Sequence, residues 1–499
     1  MAILKILICG GGFAGPALAY WLARSGHRVV IVERFPALRA TGAQIDLRAQ
    51  GIEAVKRMGL LDVVRSKLVN EAGTSFVDSQ GNTVGTIMAN KTGKGAQTFT
   101  SEYEIMRGDF VRILYDATKD NVEYIFGKSV ESFEQDDKKV VAHFSGGSSD
   151  TFDLLVGADG QGSRVRKAIL PSGSPEPYRR LGMHLAYWII PRIETDDNIS
   201  KTYISPGGRM IMSRNHSPTE TQVYFGLRGG SEELSSIHRA SVEQQKEFWT
   251  QRFCGAGWQT DRFLEGMKTA ENFYCQEIAQ VCTDTWYKGR VVLLGDAAYG
   301  PSPASGMGTT GSLVGAYVLA GEISRNTENL PQAFANYHET LRPFANEIQK
   351  VNMNPYVLRL VMPDTQWGIS VIHFMTRLTC FLRIPELMAR FSKEENGGWK
   401  LPEYPELRLE SRSTQRESLT LETSQRLSSA LLAASHTADE SKRSLSGNLT
   451  QRSKERQHET GSMLHGYTRE TDNNSGLEEP SRSPLLEQKK SRSCGCTIV

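Results

Sequence analysis

A glycine loop between two apolar runs constrains what this chain can fold into more than any other feature of it. Ile3-Leu4-Lys5-Ile6-Leu7-Ile8-Cys9 is almost wholly apolar and reads as a strand buried on both faces. Gly10-Gly11-Gly12-Phe13-Ala14-Gly15 follows at once. From Ala17 to Ser25 the apolar residues then take helical spacing, until Gly26 stops them. His27 to Glu33 is a second strand, so the unit is strand–helix–strand and its sheet is parallel. In such a unit Gly10 permits the tight turn, Gly12 lets the backbone approach a pyrophosphate, and Gly15 lets helix and strand pack closely. The helix N-terminus offers unpaired N–H groups and a positive dipole end to the phosphates. Glu33, closing the second strand, is placed to accept hydrogen bonds from ribose hydroxyls. The same glycines can also form a turn that binds nothing; the strand before, the helix after and the acid beyond favour a dinucleotide. The motif does not tell FAD from NAD.

The rest of the chain falls into blocks. Gly51 to Lys67 and Asp109 to Ala117 read as amphipathic helices. From about Leu181 the rhythm changes to short β-rich runs at Thr202–Ser205, Arg209–Ser213 and Gln222–Arg228, the first two joined across Pro206-Gly207-Gly208. At Arg290-Val291-Val292-Leu293-Leu294 the buried-strand signal returns, again with glycine and a helix behind it. The fold class is therefore α/β: a Rossmann-like dinucleotide domain interrupted by an antiparallel sheet, then C-terminal helices and a tail. The blocks are residues 1–180 and 181–285, then 286–405, which resumes the first domain and adds helices, and 406–499. Beyond about Arg408 no Trp or Phe remains, Tyr467 is the only aromatic, and Ser, Thr, Arg, Glu and Gln dominate. Such a segment cannot bury enough apolar surface to offset its ordering entropy, and is expected to be disordered.

Two later motifs sharpen the reading. Val156-Gly157-Ala158-Asp159-Gly160-Gln161-Gly162-Ser163-Arg164 follows the buried run Asp153-Leu154-Leu155, and Gly295-Asp296-Ala297-Ala298-Tyr299-Gly300-Pro301 leads into Pro303-Ala304-Ser305-Gly306-Met307-Gly308. With the first glycine loop, these stand in the order and spacing of the single-component flavoprotein aromatic hydroxylases. Residues 1–405 resemble that family, which includes p-hydroxybenzoate hydroxylase and the tetracycline-inactivating monooxygenases. The resemblance implies FAD as cofactor, NAD(P)H as electron donor, and dioxygen and a small organic molecule as partners. It implies that the loop of Gly10, Gly12 and Gly15 binds FAD, that Glu33 binds the adenosine ribose, and that Arg107 contacts the FAD backbone. Asp159 falls in the family's second fingerprint and Asp296 at its ribityl-binding position. Gly306, Gly308 and Thr309 would present amides to the flavin pyrimidine edge, where reduced flavin carries negative charge. Ala43 and Asp46, in Gly42-Ala43-Gln44-Ile45-Asp46, look like the family's second contact strand. Tyr299 stands where the family often has His. No catalytic acid or base is assigned.

Plainer roles compete for several of these residues. Asp159 and Asp296 each follow a strand, where Asp commonly caps a helix, and Arg107 could be a surface helix residue. Trp188, Tyr203 and Tyr224 could line a substrate cavity or serve as core. His184 and His216 show no partner in the sequence and read as structural. The formal net charge of +2 shows no basic face and gives no argument for nucleic acid. The seven cysteines have neither metal-ligand spacing nor a preceding secretory signal, so no metal is expected and the compartment reads as cytosolic. The sequence thus points to a monooxygenase that hydroxylates or epoxidises a secondary metabolite. It leaves open an FAD-dependent dehydrogenase or oxidase that inserts no oxygen, and a membrane-tethered flavin redox sensor. The tether enters through Cys496-Thr497-Ile498-Val499, which fits the C-a-a-X prenylation pattern, with Cys494 available for acylation behind Lys489, Lys490 and Arg492. Peripheral attachment to a cytosolic membrane face is the matching expectation.

Overall fold

The apolar runs lie side by side. In the computed structural model, Lys5–Cys9 pairs in parallel with Arg28–Glu33 on one side and with Leu154–Gly157 on the other. Val291–Leu293 adds in parallel beyond Leu154–Gly157, and Glu123–Phe126 beyond Arg28–Glu33. The short Tyr287–Lys288, antiparallel, completes a six-stranded sheet. Ile6, Leu7, Ile8, Leu155, Val156 and Val292 are fully buried, as strands covered on both faces must be. The helix Ala14–Arg24 covers one face beside Gly308–Arg325, which is buried continuously from Thr309 to Ser324 and so shows no polar stripe. The structure describes residues 2–89, 102–350, 354–384 and 398–407. These belong to one compact unit, Met1–Leu409. The expectations for the tail after Leu407, Cys494 and Cys496 included, lie outside the described residues.

The β-rich runs form a seven-stranded sheet in the order Tyr274–Val281, Tyr178–Pro191, Glu220–Arg228, Arg209–Asn215, Ile199–Ser205, Gly73–Val77 and Thr83–Met88. The hairpin across Pro206-Gly207-Gly208 forms as expected, with Ser205 opposite Arg209 and both glycines at positive φ. Two features differ from the sequence reading. The sheet is not wholly antiparallel, because Ile199–Ser205 pairs in parallel with Gly73–Val77. Its last two strands come from residues 73–88, far from the other five in the chain, and nothing in their short runs says which sheet they join. The predicted helix Gly51 to Lys67 is also two helices, Gln50–Arg57 and Leu61–Arg65, broken where Gly59 takes φ +70°.

Alternation along the strands divides the second sheet into two faces. Trp188, Val223, Phe225 and Ile211 pack on the helices Val242–Phe253 and Thr260–Thr269, against Trp249, Phe253 and Phe263. Tyr187, Gln222 and Tyr224, of the opposite parity, turn toward the first sheet's loops, which brings the two sheets' polar residues together.

Candidate functional site

The glycine loop has the geometry its spelling demands. Gly10 sits at φ +116°, and a Cβ there would lie 2.3 Å from the Ala158 carbonyl oxygen. A Cβ on Gly15 would lie 2.0 Å from the Gly10 carbonyl oxygen. Gly12 is different in kind: a Cβ there would meet nothing within 4 Å, so its open side faces space rather than protein. Glu33 accepts from the Gly11 amide at 2.7 Å and the Phe35 amide at 3.0 Å, one bond to each carboxylate oxygen. It thereby ties the end of the second strand to the loop. The first-turn amides of the helix Ala14–Arg24 have no intrahelical acceptor.

Arg107 opens the helix Arg107–Asp116 but is not a surface residue. It is half-buried, donates to the carbonyl oxygens of Arg39 (2.8 Å) and Thr41 (3.1 Å), and lies 5.3 Å from the Phe13 ring centroid. Burial, and then the neighbouring Arg39, pull its guanidinium pKa down, with Glu33 and Asp296 among the groups that oppose them. Its backbone amide donates to the Ala43 carbonyl at 3.2 Å, which starts the pairing of Gln44–Asp46 with Glu104–Met106. Asp46 is ion-paired to Arg48 at 3.1 Å and abuts the next loop, since a Cβ on Gly306 would lie 2.7 Å from its carboxylate. Thr310 bonds both the amide and the carbonyl of Arg48, at 3.1 Å each. Gly308 and Thr309 begin the buried helix with amides that meet no acceptor among the described residues, and the side of Gly308 where a Cβ would stand is empty to 4 Å. The loops 10–15 and 42–48 thus meet at Arg107, and the loop 303–309 joins them at Asp46 and Arg48.

The two aspartates, alike in sequence, part company here. Asp159 supports the start of the helix Arg164–Ile169, which Ser163 caps: its carboxylate accepts from the Ser163 hydroxyl at 2.5 Å and from the amides of Arg164 (2.7 Å) and Val165 (3.3 Å). Asp296 is the first residue of its own short helix, which Gly295 caps without a side chain. Among the described residues no donor reaches its half-buried carboxylate. Burial pushes its pKa up to about 6, against the pull of Arg107 and of Arg166. Arg166, which the sequence reading passed over, is fully buried and donates to the carbonyls of Ala297 and Gln161 and to the Tyr178 hydroxyl.

Above this cluster the second sheet closes through side chains of which the sequence had singled out only Tyr224. Gln222 accepts from the Gln44 amide at 3.1 Å and donates to the Gln44 side chain at 2.8 Å. Tyr187 and Tyr224 both donate to Gln222, and their rings lie 5.0 Å apart. Arg214 bonds Glu71 at 2.7 and 2.9 Å and Glu104 at 2.6 Å, in a buried ion triad that links this sheet to the strand before Arg107. Of the aromatic residues weighed from sequence, Tyr224 faces this cluster. Trp188 and Tyr203 are core, their polar atoms bonded to the Phe263 and Ala256 carbonyls. His184 is buried against His238, and desolvation lowers its pKa to about 4, so it is a neutral structural residue. His216 does have a partner, Glu220, at 3.2 Å. Tyr299 is core, packed between Trp286 and Tyr337.

A loop open at Gly12, free helix-end amides and a carboxylate without a protein donor are what a bound dinucleotide would complete. Residues 4–351 match the model of the FAD binding domain family. The chain belongs to this family. It is 40% identical over 427 residues to the FAD-dependent monooxygenase asL4 of Sarocladium schorii, covering 82% of this chain and 99% of that one. It is also 40% identical to the flavin-dependent monooxygenase eupH of a Phoma species, over 74% of this chain and 91% of the relative. Among solved structures it resembles tetracycline destructase Tet(51), with TM-score 0.65 and 29% identity over 81% of this chain and all of that one. The protein is an FAD-dependent monooxygenase.

Proposed function

We propose that this monooxygenase takes electrons from NAD(P)H and one oxygen atom from dioxygen to hydroxylate or epoxidise a small, electron-rich secondary metabolite: a polyketide, terpenoid or phenol. The observation that carries the proposal is the closure of the second sheet on the loop at Gly42–Asp46 through Gln222, Tyr187 and Tyr224. It sets an aromatic, hydrogen-bonding wall beside the elements assigned to the cofactor, and pockets between such layers commonly take organic ligands. In this division residues 1–180 and 286–405 hold FAD and residues 181–285 face the substrate.

Bound FAD supplies the redox and oxygen chemistry; the protein binds, orients and shields it. Gly12 gives the pyrophosphate close approach to the backbone, Gly10 and Gly15 make the turn and the helix packing that hold the loop in place, and Glu33 keeps lone pairs for the ribose. Arg107 offers positive charge to the phosphates and the ribityl chain. Asp296, lacking a protein donor, accepts from ribityl hydroxyls. Gly308 and Thr309 direct amides at the pyrimidine edge, with Ala43 and Asp46 alongside. The Gly306 amide, expected there from the sequence, is instead held by the Pro303 carbonyl at 3.1 Å, as the turn that closes the preceding helix requires. Asp159 serves indirectly, by fixing the helix that carries Arg166. The name of tetracycline destructase says what that protein acts on, and it motivates testing multi-ring phenolic substrates first.

The test is turnover under labelled dioxygen gas with a panel of such compounds. The proposal requires equal consumption of NAD(P)H, dioxygen and substrate, with one labelled oxygen in the product. Oxidised product without label, or reducing equivalents recovered wholly as hydrogen peroxide with every compound that binds, would overturn the proposed substrate class.

A further inference from the structure

The helix Gln366–Phe381 presents its apolar side to solvent. Trp367, Val371, Phe374, Met375, Leu378 and Phe381 recur at helical spacing and fall in one stripe about 120° wide, the pattern of a core-facing helix. Yet all six are exposed, Trp367 by 77%, Phe374 by 64% and Phe381 by 83%. The face turned to the protein is the less apolar one, with Thr376 and Cys380 beside Ile369. Cys380 and Thr376 lie against the strand Thr83–Met88, where a Cβ on Gly85 would be 2.8 Å from the Cys380 sulfur and 3.0 Å from Thr376 Cγ2. Ile369 is the helix's one buried residue.

Charge indicates what covers the stripe. From Gln366 to Ile384 the chain has no acidic residue, and Arg377 and Arg383 are exposed with no carboxylate paired to them among the described residues. A second copy meeting this face through the same helix would bring no carboxylate from that helix to pair with these arginines. An anionic lipid surface meets both demands, taking apolar side chains among acyl chains and guanidinium groups among headgroups. No described helix is long and apolar enough to cross a membrane, so the helix would lie in the interface plane.

We propose that the helix Gln366–Phe381 is a docking surface for anionic membranes, with Trp367, Phe374 and Phe381 inserted and Arg377 and Arg383 on the headgroups. The surface acts without lipid on Cys494 or Cys496, so the test uses full-length FAD-loaded protein made in bacteria, which add no prenyl group. Co-sedimentation with phosphatidylcholine vesicles, with and without phosphatidylserine, should show binding that requires the anionic lipid. Phe374→Glu should weaken it by about tenfold or more, and Arg377→Gln by about fivefold, with FAD content and turnover retained in both. Brominated lipid should quench tryptophan fluorescence in the native protein and not in Trp367→Phe. Three results would overturn the proposal: no anionic-vesicle binding, binding undiminished in Phe374→Glu, or a dimer in sedimentation equilibrium that Phe374→Glu dissolves while no vesicle binds.

Discussion

Replacing Asp296 by Asn separates a residue kept for a ligand from one kept for the fold. In the structure its carboxylate is half-buried, meets no donor among the described residues, and has its pKa pushed up to about 6 from an ordinary 3.8. A carboxyl group whose folded pKa is raised binds its proton more tightly in the native state than in the unfolded one. Its contribution to stability is therefore intact below about pH 4 and is lost as pH rises through about 6. Two pKa units correspond to about 3 kcal/mol, so on the order of that much stability is withheld from the apoprotein above pH 7. Asn is nearly isosteric and carries no charge. Apo Asp296→Asn should be more stable than the native apoprotein at pH 8 by about 1–3 kcal/mol, with the difference shrinking toward zero at pH 4. Urea unfolding of the two apoproteins across that range measures it, and taking the difference cancels other titrating groups such as His184. The same variant should bind FAD more weakly by about 1.5–3 kcal/mol, since a charge-assisted acceptor is gone. A variant less stable than the native apoprotein at pH 8, or a difference independent of pH, would refute the reasoning. The carboxylate would then be supporting the fold.

Gly12→Ala and Gly15→Ala test the loop from opposite sides. The methyl group added by Gly12→Ala has open space, so apoprotein stability should stay within about 0.5 kcal/mol while FAD affinity falls. The one added by Gly15→Ala collides with the Gly10 carbonyl and should destabilise the apoprotein by about 1–3 kcal/mol, both effects being read by unfolding and flavin titration. Arg214→Met strands Glu71 and Glu104 without their shared cation and should cost about 3–5 kcal/mol in chemical denaturation. Adding Glu71→Gln and Glu104→Gln should recover most of that loss, and an Arg214→Met protein as stable as the native one would show that the triad carries no coupling.

What the sequence determined was local. The strands at Lys5, Arg28, Leu154 and Val291 are legible because burial on both faces leaves uninterrupted apolar runs. The glycine loop is legible because turn, close approach and helix packing each demand a missing Cβ at a fixed step. Which way Trp188 faces was not legible; in the structure Tyr187 and Trp188 are neighbours on one strand and face opposite ways, and Trp188 went to the core. Asp159 and Asp296 both follow a strand, yet only Asp159 has a serine and two amides folded back on its carboxylate. Gln44 and Gln222 lie 178 residues apart, and Arg214 and Glu104 lie 110 apart. No period in a sequence reports a contact made across such a distance. The stripe on Gln366–Phe381 is the sharpest case, because its spacing alone would send it to the core. Periodicity fixes which side chains share a face; only the packing of the other elements decides whether that face meets protein or is left free.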